Sequence, residues 1–88
     1  MVTYKILFTP QAIKDSKKIG SSNLHGKVQE LLSVIERNPY AFPPPFEILT
    51  GKLDGFVSRR INKQHRLVYQ VYKEEKIIKV LKLWTHYE

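Results

Sequence analysis

Gly55–Tyr69 reads Gly-Phe-Val-Ser-Arg-Arg-Ile-Asn-Lys-Gln-His-Arg-Leu-Val-Tyr, and this stretch decides the fold. Two runs with strand character, Phe56–Ile61 and Arg66–Tyr72, flank a short polar connection, so the spacing predicts an antiparallel hairpin. Because side chains alternate between the faces of a strand, Leu67 is predicted to face the core and Arg66 the opposite, open face. A guanidinium on a strand can be aimed at a phosphate, since it has few conformations to lose. The alternative is an arginine that is only solvated.

The elements around this hairpin follow from residue type and capping. A β-branched and aromatic run at Thr3–Phe8 predicts an opening strand, and a Thr-Pro pair then favours a helix over Pro10–Ile19. A second helix is predicted over Asn23–Arg37, because its apolar residues recur at helical spacing. A proline-rich connection (39–45) follows, and Lys76–Trp84 is predicted to be the final strand after the hairpin. The buried positions predicted for the two helices are Ala12, Ile13, Ser16 and Ile19, then Leu24, Val28, Leu31, Leu32 and Ile35.

The predicted order β-α-α-β-β-β describes an α+β fold, with one domain over residues 1–88. We expect two N-terminal helices on one face of a mainly antiparallel four-stranded sheet, with the other face open. In the final strand, alternation places Leu81 and Leu83 in the core, unless a β-bulge shifts the register. The positions predicted to share the open face with Arg66 are Val80, Lys82, Trp84 and His86.

Composition limits the classes of protein. The chain has 88 residues, 42% hydrophobic and 26% charged, which predicts one soluble globular domain. Its net charge of +7 favours an anionic partner, either nucleic acid or an acidic protein, over charge that serves only solubility. The absence of cysteine excludes disulfides and thiolate metal sites and is typical of a reducing cytoplasm. Without a signal-peptide arrangement or an apolar run of membrane length, we expect a cytoplasmic chain with no membrane attachment.

Three residue types in the chain could together cleave RNA. Glu47 supplies a carboxylate, Arg66 a guanidinium and His86 an imidazole that titrates near neutral pH. RNA cleavage needs a base for the 2′-hydroxyl proton, a cation for the phosphate charge and an acid for the departing 5′-oxygen. We expect no cofactor and no metal, because no cluster has metal-ligand spacing and no Gly-rich phosphate loop is present. Residue types alone leave open a basic RNA-binding module without chemistry.

The block Glu47–Tyr69, with its Ser-Arg-Arg-Ile and His-Arg-Leu-Val-Tyr runs and the His86-Tyr87 pair near the end, resembles the YoeB/Txe toxins of the RelE superfamily. The resemblance implies a microbial-ribonuclease-like fold and an endoribonuclease, an mRNA interferase that cuts mRNA at the ribosomal A site and stops translation. It also implies three partners: the 70S ribosome, mRNA and a cognate antitoxin. For a chain with a net charge of +7, we expect this antitoxin to be acidic and partly disordered when free. Operator DNA would be reached only through the antitoxin.

The resemblance also implies a role for individual residues. Glu47 matches the general base, Arg66 the arginine that stabilises the scissile phosphate, and His86 the general acid. Tyr87 matches the aromatic residue that orients the substrate. Arg60 matches a supporting arginine that helps to bind phosphate.

Departures from the family pattern add further candidates. Phe46 and Ile48 flank the base where the family usually has proline on both sides. Thr50 stands where a lysine is common, and Glu88 follows the usual final tyrosine. The remaining substrate-binding candidates are Lys52 and Lys82, which could replace that lysine, and Arg59 of the Ser-Arg-Arg-Ile run.

A non-enzymatic toxin of the same fold is an open alternative. The ParE branch acts on DNA gyrase and lacks the catalytic set. The joint presence of Glu47, Arg66 and His86 therefore argues against that branch.

Overall fold

The computed structural model describes residues 3–43, 45–49, 56–63 and 65–83. Within these ranges the chain forms two helices and five strands, and the α+β class is confirmed. The elements are β1 (Lys5–Phe8), α1 (Pro10–Gly20), α2 (His25–Arg37), β2 (Glu47–Ile48), β3 (Val57–Arg60), β4 (Arg66–Tyr72) and β5 (Ile77–Lys82). No helix in the described part of the chain is both long and apolar enough to cross a membrane.

The strands form one mixed sheet in the order β1-β5-β4-β3-β2. The predicted hairpin is confirmed as the antiparallel pair β3–β4, and β1 lies parallel to β5. The sheet has five strands where four were predicted, because Glu47 and Ile48 pair with Ser58 and Val57. A pairing of two residues leaves too little alternation to be recognised in a sequence. Its position matters here, since it attaches the predicted base to the edge of the sheet.

Both helices end close to the predicted residues. The Thr9 hydroxyl caps α1 by accepting a hydrogen bond from the Ala12 N–H at 3.1 Å, as a threonine before Pro10 predicts. Helix α2 ends before the Asn38-Pro39 pair. The predicted stripe of α2 is confirmed, with Val28, Leu31 and Ile35 buried and Leu24 and Leu32 packed against the core.

The buried face of α1 differs from the prediction at two positions. Ile13 is 48% exposed and Ser16 is half-buried, whereas Asp15 is 2% exposed. The Asp15 carboxylate accepts hydrogen bonds from the Leu83 N–H at 3.0 Å and from the side-chain amide of Gln11 at 2.9 Å. A buried carboxylate is tolerated because these bonds compensate for lost water. The buried face of helix α1 thus combines the apolar Ala12 and Ile19 with the hydrogen-bonded Asp15, while Ile13 faces solvent.

A β-bulge in β5 shifts the register that alternation predicted. Tyr69 pairs with Val80, but its neighbour Val68 pairs with Lys82, so Leu81 is an extra residue on β5. The prediction was wrong for Val80, which is buried in the core, and for Leu81, which is half-buried outside it. Beyond the bulge, Leu83 lies in the core and Lys82 lies opposite Val68, as predicted.

Candidate active site

The face of the sheet opposite the helices carries several of the predicted site residues in neighbouring positions. Cross-strand partners share a face, and Glu47 pairs with Ser58, Ser58 with Val68, and Val68 with Lys82. Arg60 and Arg66 form the next pair on this face, two residues from Ser58 and Val68 toward the hairpin turn. Val68 is 1% exposed, so the expectation of a wholly open face is wrong at this position. The polar row is thus partly covered at its centre and accessible toward β2 and the hairpin.

Glu47 and Arg66 approach each other across the intervening strand β3. The Arg66 Nη1 atom lies 4.0 Å from the Glu47 Oε1 atom, and their side chains are 29% and 69% exposed. Strands two apart in a sheet lie about 9.5 Å apart, so two long side chains must reach over the strand between them. The small residue Ser58 lies on that strand. The structure therefore brings together two of the three predicted catalytic residues.

The two residues belong to a cleft of about 470 Å³. Its lining combines the carboxylate of Glu47 with the cations of Lys27, Arg60 and Arg66. The remaining lining residues are Pro45, Phe46, Ser58 and Ile61. An excess of cations over carboxylates in a concave site favours an anionic ligand. Lys27 was not among the predicted site residues, because an exposed lysine early in a helix has no distinctive pattern.

Arg60 and Arg66 form a like-charged pair directly across β3 and β4. Such a pair lowers sheet stability by about 0.2–1 kcal/mol relative to a neutral pair. An anion between the two guanidinium groups would remove this repulsion and accept charge-assisted hydrogen bonds from both. The pair is thus suited to a phosphate, and the register places both guanidinium groups on one face of the sheet.

Arg59 does not fit its prediction as a substrate-binding residue. It is 0% exposed, because strand alternation turns it to the core face while Arg60 faces the cleft. Its guanidinium donates hydrogen bonds to the Tyr69 hydroxyl at 2.9 Å and to the carbonyls of Pro39 at 3.1 Å and Ala41 at 2.9 Å. These contacts assign it to the interior of the fold.

Tyr69 completes this buried cluster. Its hydroxyl donates a hydrogen bond to the Pro39 carbonyl at 2.6 Å while accepting from Arg59. Burial raises the pKa of the Tyr69 hydroxyl above 10.0, and the neighbouring Arg59 acts in the opposite direction. The neutral hydroxyl can therefore both accept and donate at neutral pH.

Ser58 was not singled out in the sequence, and its position at the floor of the cleft comes from tertiary structure. Its residue is 2% exposed, and its hydroxyl oxygen has no hydrogen-bond partner among the residues that the structure describes. A serine in the middle of a strand carries no signal of such a position.

The other predicted site residues are only partly placed. Lys82 is half-buried on the same face as the cleft residues. Lys52, His86 and Tyr87 lie outside the described residues, as does Thr50. Within the described ranges, no group of three or more His, Asp or Glu side chains could hold a metal ion.

Two N-terminal helices packed on a mixed five-stranded sheet are the fold of the RelE-like bacterial toxins whose solved structures match this chain. A solved YoeB/ParE toxin from Agrobacterium tumefaciens matches with a TM-score of 0.87 and 28% identity, over 94% of this chain and 99% of that one. A chain of the YoeB-YefM complex from Staphylococcus aureus matches with a TM-score of 0.81 and 39% identity, over 96% and 98%.

The sequence comparisons agree with this architecture. The model for the YoeB-like toxin of bacterial type II toxin-antitoxin systems matches residues 8–87. The Toxin YoeB of Mycobacterium bovis is 38% identical over 61 residues, which are 69% of each chain. This chain therefore belongs to the YoeB-like toxins of bacterial type II toxin-antitoxin systems.

Proposed function

We propose that this toxin is an endoribonuclease that cuts mRNA at the ribosomal A site and thereby stops translation. The observation that supports this most is the pairing of Glu47 with Arg66 at 4.0 Å in a cleft that also contains Arg60. A carboxylate beside two guanidinium groups combines a proton acceptor with a binding site for a phosphodiester. A plain RNA-binding surface would need the cations but not the carboxylate, which repels phosphate.

The proposed reaction is a transfer within the RNA. Glu47 takes the proton of the 2′-hydroxyl, and the 2′-oxygen attacks the adjacent phosphorus. Arg66 and Arg60 stabilise the additional negative charge on the phosphate oxygens in the transition state. His86 protonates the 5′-oxygen as its bond to phosphorus breaks, and Tyr87 orients the substrate beside it. The products are a 2′,3′-cyclic phosphate and a 5′-hydroxyl end, and these proton transfers do not require a metal.

The geometry of the base is consistent with a requirement for the ribosome. The Glu47 side chain is 69% exposed, and its contact with Arg66 is at the outer limit of an ion pair. Such a base is loosely oriented, so the reaction depends on a substrate that is held in a suitable conformation. A ribosome that fixes the mRNA in the A site would supply this orientation.

A cognate antitoxin is the second proposed partner. The related Staphylococcus aureus toxin was solved as a YoeB-YefM complex. For a chain with a net charge of +7, the complementary partner is an acidic segment that becomes ordered on binding. Contact with operator DNA would then occur only through the antitoxin. The dissociation constant of the complex, measured by titration, should rise as the salt concentration rises. An affinity that does not change with salt would contradict a mainly electrostatic contact.

Expression in a bacterium tests the enzymatic proposal. The wild type should arrest growth, with translation falling before DNA synthesis and new mRNA 5′ ends mapping within translated codons. His86→Gln should abolish the new ends while still binding the antitoxin, because this change removes the proposed acid and keeps a polar side chain of similar size. The relative from Agrobacterium tumefaciens carries both the YoeB and the ParE name, so a gyrase-directed toxin is the alternative. A DNA-damage response without mRNA cleavage would support that alternative and refute the nuclease.

A further inference from the structure

Burial of the Arg59 guanidinium carries an unfavourable desolvation free energy, which is large relative to the stability of so small a domain. Arg59 is 0% exposed and lies between the buried core residues Val57 and Ile61. Removal of a charge from water is unfavourable, and apolar residues of similar volume often serve stability as well as or better than buried ionic groups. Stability therefore does not explain the arginine. Its contacts indicate what else it does.

Three of those contacts reach the proline-rich connection that leads into β2 or the residue directly after it. Arg59 donates to the carbonyls of Pro39 and Ala41, and its guanidinium carbon lies 4.9 Å from the centre of the Phe46 ring. Tyr69 supports the same contact from β4, because it accepts from Arg59 and donates to Pro39. One planar cation thus holds both ends of the connection, since it can form several hydrogen bonds and also stack on an aromatic ring.

The proposed base begins where this connection ends. Glu47 directly follows Phe46, and β2 contains only Glu47 and Ile48. After these two residues, the Leu49 N–H donates to the Phe56 carbonyl at 2.8 Å. So short an edge strand holds the base only through its pairing with β3. The contact between Arg59 and Phe46 adds a second attachment, at the residue that directly precedes Glu47.

We propose that Arg59 is a positioning residue that sets the place of Glu47 in the cleft through Phe46, with Tyr69 as its support. This inference rests on the proposed function, in which Glu47 is the general base. It also links the two faces of β3, since Arg59 would hold the base from the core side while the adjacent Arg60 lines the cleft.

Two variants test the proposal on ribosomes programmed with mRNA. Tyr69→Phe removes one acceptor for Arg59 and one donor to Pro39, and Arg59→Lys keeps the charge but loses the planar fork. At a temperature where circular dichroism shows each protein fully folded, cleavage at saturating ribosome concentration should slow by about 10- to 100-fold. The concentration for half-maximal rate should stay within about twofold, because Arg60 and Arg66 are untouched.

The matched control is Ile35→Val, a core change in α2 away from the cleft. It should lower the melting temperature without slowing cleavage. Amide hydrogen exchange gives a second readout, since the Leu49 N–H should exchange faster in Tyr69→Phe but not selectively in Ile35→Val.

The outcomes separate the two proposals. A wild type that does not cut RNA would refute the nuclease and, with it, the positioning role. A wild type that cuts, together with a Tyr69→Phe variant that cuts at the same rate and leaves Leu49 exchange unchanged, would refute only the positioning role. Equal slowing in Ile35→Val would likewise assign the effect to general destabilisation. Because Tyr69→Phe is a mild change, it decides the question even if Arg59→Lys does not fold.

Discussion

Replacement of Arg66 by alanine should remove most of the activity of this toxin without unfolding it. Among the residues that the structure describes, Arg66 is the cation nearest the proposed base, at 4.0 Å, and it is proposed to stabilise charge that develops on the phosphate. Loss of one such donor in other enzymes slows catalysis by about 10²–10³-fold, or about 3–4 kcal/mol of transition-state stabilisation. We expect Arg66→Ala to lose activity in that range.

The effect on folding should be small because two opposing contributions are removed together. The exposed ion pair with Glu47 stabilises the fold by about 0.2–1 kcal/mol, and its 4.0 Å distance favours the lower end. The like-charged pair with Arg60 destabilises the sheet by about 0.2–1 kcal/mol, and the substitution relieves it. The free energy of unfolding of Arg66→Ala should therefore stay within about 1 kcal/mol of wild type.

Single-turnover cleavage on programmed ribosomes and urea unfolding measure the two quantities. Lys14→Ala is the control, since it removes one positive charge from the exposed surface of α1. It should leave cleavage within about twofold of wild type if the role of Arg66 is local rather than a matter of net charge. Wild-type cleavage by Arg66→Ala, or equal losses in the two variants, would refute the assigned role.

Three further predictions concern side chains whose burial the structure reveals. Ser58→Ala should leave stability unchanged or slightly raised, because the hydroxyl has no hydrogen-bond partner in the described part of the chain. A clear fall in the urea midpoint would contradict this. Asp15→Asn should lose about 1.5–3 kcal/mol in the same assay, since an amide cannot accept from both Leu83 and Gln11 with the strength of a carboxylate. The raised pKa of Tyr69 means that folding favours its neutral form. Its contribution to the free energy of unfolding is therefore fully present below pH 10.0 and is lost as the pH rises through the folded-state pKa. Melting curves at rising alkaline pH should therefore show a smaller loss in Tyr69→Phe than in wild type, and parallel losses would count against the assignment.

Local patterns were enough to determine the hairpin, the order of every element except β2, and the ends of the helices to within two residues. The Thr9 cap, the stripe of α2 and the alternation of Leu67 with Arg66 each depend on neighbours a few residues away. Family resemblance singled out Glu47 and Arg66, and the structure brings them into one cleft. The assignment of His86 as the acid stays a prediction, since it lies outside the described residues.

Only the tertiary structure decided where the sheet ends and which charges are interior. A bulge at Leu81 arises from how β5 fits β4, and the pairing of Glu47 depends on a partner strand that its own neighbours do not indicate. Arg59 and Asp15 are charged residue types that usually lie on the surface. Both are buried here because carbonyl, hydroxyl or amide groups from distant positions form hydrogen bonds with them. A sequence records spacing along the chain, whereas compensation for a buried charge depends on groups brought together through space.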